Sequence, residues 1–133
     1  MNGNVSIVEF LVENNALIDS SDSMGKNALH FSCVGRSVNI VEILLRKNRK
    51  LIHSVDNSGM NCLHYVVWNG TESQIEIARV LFMNKAEPNC IDIDGKTPLH
   101  HASKAGKGKI IPILMQKGAN ITIKDKIAKK TPL

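Results

Sequence analysis

Aromatic residues are scarce in this chain. They make up 4% of its 133 residues and include one tryptophan and one tyrosine. The apolar content comes mainly from Leu, Ile, Val and Ala, which suit helix-on-helix packing better than a β-sandwich. At this length we expect a single structural unit with one core. The composition therefore favours one all-α domain.

Long apolar runs are also missing. A membrane-spanning helix needs roughly 20 consecutive apolar residues, and the runs here reach only a few, so we expect no transmembrane segment. The chain does not start with a basic stretch followed by an apolar one, and Asn2 stands where N-myristoylation requires glycine. No targeting signal is therefore expected.

Cysteines are few and unpaired. Cys33, Cys62 and Cys90 are odd in number and form no Cys-x-x-Cys pair. This pattern indicates reduced thiols in an intracellular protein. We expect a cytoplasmic location, or the cytosolic face of a membrane if a longer parent protein is membrane-bound.

The main positive feature is an internal repeat. Asp22, Asp56, Asp92 and Asp125 begin similar segments, spaced by 34, 36 and 33 residues. A glycine follows the first three aspartates after three residues, and a Leu-His pair follows after seven and eight. A period of this size is typical of stacked helical repeats.

Each unit predicts a turn followed by two helices. Asp-x-x-Gly is a turn in which glycine permits positive φ. Asn27, Asn61 and Thr97 are good N-cap residues, and Pro98 suits the first helical position. The apolar spacing then predicts a short first helix and a second helix buried along one broad face. Residues 7–12 repeat the second-helix pattern.

The segment Gly-Lys-Thr-Pro-Leu-His-His-Ala at 95–102 resembles the ankyrin repeat, whose pattern is G-x-T-P-L-H-x-A, and the resemblance covers essentially the whole chain. It implies an all-α ankyrin-repeat solenoid of stacked helix-turn-helix units with β-turn or hairpin tips. The expected divisions of this single domain, 1–133, are a partial repeat 1–21, repeats 22–55, 56–91 and 92–124, and the start of a truncated repeat 125–133.

Three departures from the pattern carry expectations of their own. About three residues are inserted near 71–73 and one between 49 and 53, which predicts irregular loops in the middle of the stack. Pro112 falls in a second helix. If that helix begins near Lys109, the proline lies in its first turn and is tolerated, and otherwise we predict a kink.

The recurring histidines, His30, His64 and His100, do not predict a metal site. In the ankyrin family this histidine makes local hydrogen bonds that hold the turn, and neighbours one repeat apart are too distant to share an ion. The segment 106–109 fails the Walker spacing, and no Gly-x-Ser-x-Gly motif is present. We expect no catalytic, cofactor or metal site, and this segment is not predicted to be an enzyme.

In ankyrin-like proteins the variable contact positions flank the turn and the end of the first helix. Carried over, the resemblance implies these partner-binding residues: Met24, Lys26, Asn57, Met60, Trp68, Ile91, Ile93, Lys96 and Lys104. Trp68 has two interpretations at this point. It is an exposed anchor for a partner, or it packs beneath the insertion near 71–73.

Charge is uneven along the chain. Residues 96–133 hold nine lysines and one acid, net +8, whereas residues 1–95 are net −3. A positive end attracts an acidic protein surface, an anionic membrane or nucleic acid. No aromatic residue accompanies the basic stretch, which weighs against nucleic acid.

The leading hypothesis is a scaffold or adaptor whose partner is another protein, with no cofactor and no small-molecule substrate. A second hypothesis is the substrate-recruiting or regulatory module of a larger enzyme or channel, such as an ankyrin-bearing palmitoyltransferase or kinase. A third and weaker one is binding of an acidic surface, a membrane or nucleic acid through the lysine-rich end.

Overall fold

A computed structural model describes residue 18 and residues 20–35, 37–68 and 71–133. The helix predicted at 7–12 lies outside these ranges. Within them the chain is helical and has no named strand, apart from one isolated antiparallel bridge between Ser21 and Asn27. The all-α prediction is confirmed.

The helices follow each other in pairs. In chain order they are α1 (Ala28–Val34), α2 (Val38–Lys47), α3 (Cys62–Val66), α4 (Glu72–Met83), α5 (Pro98–Lys104) and α6 (Ile111–Gln116). Helix α1 contacts α2 and α3, α2 contacts α4, and α3 contacts α4 and α5. First helices thus pack on first helices, and α2 packs on α4, as in a solenoid.

The predicted N-caps begin the first helices. The side chains of Asn27, Asn61 and Thr97 each accept a hydrogen bond from the backbone N–H three residues on, and the histidine at that position accepts the N–H of the cap. Two otherwise unpaired backbone donors are satisfied in this way at each helix start. Pro98 occupies the first turn, as predicted.

The insertion near 71–73 does not form the irregular loop predicted from the sequence. Thr71 caps α4 in a capping box with Gln74, so Glu72 and Ser73 are already helical and α4 reaches 12 residues. The extra residues lengthen a helix because they carry an N-cap. The other insertion forms a short 3₁₀ helix, Arg49–His53, which buries Leu51 and Ile52.

Pro112 lies in the first turn of α6, which begins at Ile111, two residues later than expected. No backbone N–H is lost from the helix interior there, so the proline is tolerated.

The core is a continuous column between the two layers of helices. Its fully buried leucines recur once per helix: Leu29, Leu63 and Leu99 in the first helices and Leu44, Leu81 and Leu114 in the second helices. No helix in the described part of the chain combines the length and the apolar character needed to cross a bilayer.

Candidate binding face

The turns between repeats share one hydrogen-bond pattern. The Oδ1 atom of Asp22 accepts the backbone N–H groups of Met24 and Lys26, both at 2.9 Å. Asp56 and Asp92 repeat these bonds in their own turns. The glycine of each turn has φ between +74° and +79°, a conformation that few other residues adopt without strain.

Neighbouring turns are linked into a row. The backbone N–H of Asn57 donates to the Met24 carbonyl at 2.9 Å, and that of Ile93 donates to the Ser58 carbonyl at 2.9 Å. The first two turns approach each other closely, since a Cβ atom on Gly25 would lie 2.5 Å from Oδ1 of Asn57. The turn residues therefore form a fixed surface along the stack.

Buried histidines also link successive repeats. Nδ1 of His64 accepts the N–H of Asn61, so the neutral ring carries its proton on Nε2 and donates it to the Lys96 carbonyl at 3.0 Å. His100 makes the same contact with the Lys130 carbonyl at 3.1 Å. Burial lowers the pKa of His64 to about 4. These histidines are structural links between repeats.

The second carboxylate oxygen of the turn aspartate pairs with a side chain nine residues further on. The Tyr65 hydroxyl donates to Oδ2 of Asp56, and Nε2 of His101 lies 2.8 Å from Oδ2 of Asp92. This contact was not predicted from the sequence. Its signal is the polar residue found at this position in the second and third repeats, where the first repeat has Phe31.

These bonds change the acidity of the turn carboxylates. Burial alone would raise the pKa of Asp56, but the hydrogen bonds from Tyr65 and from the N–H groups of Met60 and Ser58 outweigh it and lower the pKa. In the same way, burial alone would raise the pKa of Asp92, but His101 and the N–H groups of Lys96 and Asp94 outweigh it and lower the pKa. Both carboxylates are thus held in the charged form.

Trp68 is held by aromatic neighbours from two repeats. Its ring centroid lies 4.9 Å from that of Tyr65 and 6.4 Å from that of His101, both edge-on. It remains 39% exposed. The nitrogen of Lys26 lies 5.6 Å from the Tyr65 centroid and covers that ring. Trp68 is thus both supported from beneath and accessible to solvent.

The nine residues implied as partner-binding differ in exposure. Met24, Asn57, Trp68, Ile91, Ile93 and Lys104 are exposed, whereas Lys26, Met60 and Lys96 are half-buried. Met60 packs partly against the core. Three further exposed apolar side chains lie at turn or first-helix positions: Phe31, Val34 and Val55. Val34 and Val55 lie at a helix end and beside a turn, where contact residues are expected, whereas Phe31 lies inside α1.

One cluster resembles a metal site in its residue types. Ligand atoms of His64, Asp92 and His101 lie within 4.8 Å of one another. Both ring nitrogens of His64 are already bonded to backbone groups, and its Nε2 is a donor. His64 therefore has no free lone pair, and the cluster does not offer three ligands to an ion.

A cavity of about 450 Å³ opens between α5 and the turn that begins at Asp125. Lys96, Lys104 and Lys130 line it, as does His101. Ser103 also lines it, and its buried hydroxyl has no hydrogen-bond partner among the described residues. The cavity therefore combines three lysine side chains with the unpartnered hydroxyl donor of Ser103.

Comparison with known proteins agrees with this architecture. A family model described as ankyrin repeats (3 copies) matches residues 1–92 and 71–125. An ankyrin repeat protein of Fowlpox virus (strain NVSL) is 29% identical over 123 residues, which cover 92% of this chain and 63% of the relative. The chain therefore spans less than two thirds of that protein's length.

A second relative comes from Dasypus novemcinctus and is named ankyrin repeat, SAM and basic leucine zipper domain-containing protein 1. It is 24% identical over 117 residues, which cover 88% of this chain and 25% of the relative. The chain thus corresponds to about a quarter of this larger protein.

Proposed function

The chain belongs to the ankyrin-repeat family, whose repeats form a non-catalytic protein-interaction fold, and on that premise we propose that it is a scaffold or adaptor. Its partner is a protein held on the surface made by the turns and the ends of the first helices. We call this surface the tip face and define it by Met24, Val34, Val55, Trp68, Ile91, Ile93, Lys96 and Lys104.

One observation carries this proposal. Six apolar side chains of the tip face are between 39% and 62% exposed, and they recur at turn and helix-end positions of three successive repeats. Soluble proteins rarely leave such side chains clustered in solvent unless a partner covers them. Trp68 is the expected anchor, since tryptophan is enriched among residues that dominate binding energy.

The experiment is site-specific photocrosslinking in cells followed by quantitative binding. A photoreactive amino acid at position 24 should crosslink a protein that the same group at position 83 does not, because Met83 is 80% exposed but lies in α4, off the tip face. The captured protein, once purified, should bind wild type, and Trp68→Ala should weaken its affinity by roughly 30-fold, or about 2 kcal/mol.

Met83→Ala is the matched control and should leave that affinity unchanged. If Trp68→Ala lowers the melting temperature but not the affinity, Trp68 serves packing and is not an anchor. If crosslinks form equally at positions 24 and 83, the tip face is not the binding surface.

A second candidate is the recruiting module of a larger protein. This chain covers 63% of the length of one relative and 25% of the length of the other, so both relatives are longer proteins. The second is named for additional SAM and basic leucine zipper domains. Both observations support this candidate. If the larger protein is an enzyme such as a palmitoyltransferase or kinase, deleting this segment should slow turnover of a protein substrate but not of a short peptide substrate. Equal effects on both would contradict recruitment.

A third candidate uses the lysine-rich end, with net charge +8 over residues 96–133. If it binds nucleic acid or an anionic membrane, affinity should fall steeply with salt as counterions are released. Binding that is insensitive to salt would contradict it.

For location we infer the cytoplasm or the cytosolic face of a membrane, since Cys33, Cys62 and Cys90 are free thiols.

A further inference from the structure

The tip face changes in chemistry along the stack. The position at the end of the first helix is Val34 in the first repeat, Trp68 in the second and Lys104 in the third, and all three side chains are exposed. A segment lying across these repeats would therefore meet apolar side chains first and a cationic one last.

The cationic end is concave, and within the described ranges its lysines form no ion pair with a carboxylate. Three lysines, Lys96, Lys104 and Lys130, line the cavity beside α5. Asp125 is the one acid in its lining, and that carboxylate is buried and accepts the Ala128 N–H at 2.6 Å. Within the described ranges, the lysine that forms an ion pair with a carboxylate is Lys109, with Glu72, outside the cavity.

His101 connects the two chemistries. Its ring lies 6.4 Å from that of Trp68, and it also lines the cavity. His101 thus lies between Trp68 and the lysine-lined cavity, while its Nε2 bonds the Asp92 carboxylate. First helices of adjacent repeats pack about 8–10 Å apart, and an extended chain advances about 3.3 Å per residue. About three residues of extended peptide therefore span the distance from Trp68 to the cavity.

We propose that the partner supplies one extended segment, with an apolar side chain on Trp68 and, two to four residues away, an Asp or Glu carboxylate in the cavity between Lys96, Lys104 and Lys130. The unpartnered hydroxyl of Ser103 is a further donor for that carboxylate. This inference rests on the proposed function and adds the partner's chemistry and spacing.

The test uses the full chain and random peptides of about twelve residues displayed on phage, a length that spans the tip face. Selected sequences should combine an aromatic or large aliphatic residue with Asp or Glu two to four positions away. The corresponding synthetic peptides should bind about tenfold more weakly to Trp68→Ala and to Lys104→Glu. Their affinity should fall as salt is raised, because the ion pairs are partly exposed.

Lys117→Glu is the matched control. Lys117 is exposed at the end of α6, outside the cavity lining, so the same change of charge there should alter affinity by less than about twofold. A peptide whose acid is replaced by Lys should regain affinity for Lys104→Glu. Thermal unfolding of each variant shows whether it is folded, and Lys96→Gln offers a second, milder removal of charge.

Two failures are distinguishable. Peptides that require Trp68 but show no acidic preference and tolerate Lys104→Glu would overturn this inference and leave the proposed function standing. If no selected peptide depends on Trp68, this inference is overturned, whereas the proposed function is overturned by equal crosslinking at positions 24 and 83.

Discussion

Tyr65 donates its hydroxyl to Oδ2 of Asp56, while Oδ1 of the same carboxylate accepts the N–H groups of Ser58 and Met60. One carboxylate thus closes the turn and fixes it to the first helix. His101 does the same for Asp92. In the first repeat Phe31 has no polar atom to offer Asp22, so that turn lacks this support.

The Tyr65–Asp56 bond should contribute to stability. Tyr65→Phe removes the donor and keeps the ring, so we expect the free energy of unfolding to fall by about 1–2 kcal/mol. Denaturant unfolding of Tyr65→Phe, Asp56→Asn and the double variant measures the coupling. Strictly additive effects would mean that the two side chains do not interact.

The same bond predicts a dependence on pH. The pKa of Asp56 is lowered in the folded state, so its contribution is present above the pKa of an unfolded Asp and disappears as pH falls through the folded pKa. Tyr65→Phe should therefore lose less stability than wild type on acidification below about pH 4. An identical acid profile for the two proteins would contradict this.

His64 predicts a second dependence on pH, in a higher range. Burial lowers its pKa from 6.5 to about 4, so between these values the unfolded chain binds a proton that the folded chain does not. Stability should therefore fall as pH falls, by about 2 kcal/mol between pH 7 and pH 5 from this residue. Urea unfolding at both pH values tests it.

His64→Gln should remove this residue's part of the difference in unfolding free energy between pH 7 and pH 5, whatever its effect on stability at either pH. His53 is exposed, so His53→Gln is the control and should leave the difference as in wild type. A wild-type protein equally stable at pH 5 and pH 7 would contradict the buried neutral state of His64.

Local signals predicted the fold well because they act over three or four residues. Asn27, Asn61 and Thr97 are caps that a sequence displays directly. The insertion was misread because Thr71 and Gln74 form a capping box whose role depends on where the previous helix ends.

The site was less predictable because it depends on contacts between repeats. The cavity beside α5 joins Lys96 to Lys130 across a repeat boundary, and the support of Trp68 by His101 joins two repeats. A repeat pattern gives equivalent positions, but it does not give the chemistry produced when different residues occupy them side by side.

Ala28 is a position where a change should stabilise the protein. It is the first residue of α1 and is exposed, and Asn27 before it is extended, with φ −106° and ψ −179°. Proline is tolerated at this helical position, and the extended residue before it is compatible. Ala28→Pro should raise the free energy of unfolding by about 0.4–1 kcal/mol, measured by denaturant unfolding.

The control for this change is Ala28→Gly, which increases the freedom of the unfolded chain and should lower stability. A loss of stability with Ala28→Pro would mean that the N–H of Ala28 has a partner in solution that the proline removes.

The three cysteines should differ sharply in reactivity. Cys33 and Cys62 are buried, and the pKa of Cys33 is raised by its contact with the Cys62 thiol and by burial. Cys90 is half-buried, and burial followed by the charges of Glu87 and Asp92 raises its pKa. Because the thiolate is the reactive form, a disulfide-exchange reagent should modify Cys90 slowly in the native protein and the other two only on unfolding. Glu87→Gln should speed the reaction of Cys90 alone. In the wild-type protein, three thiols reacting at one rate below the unfolding transition would contradict the buried placement of Cys33 and Cys62.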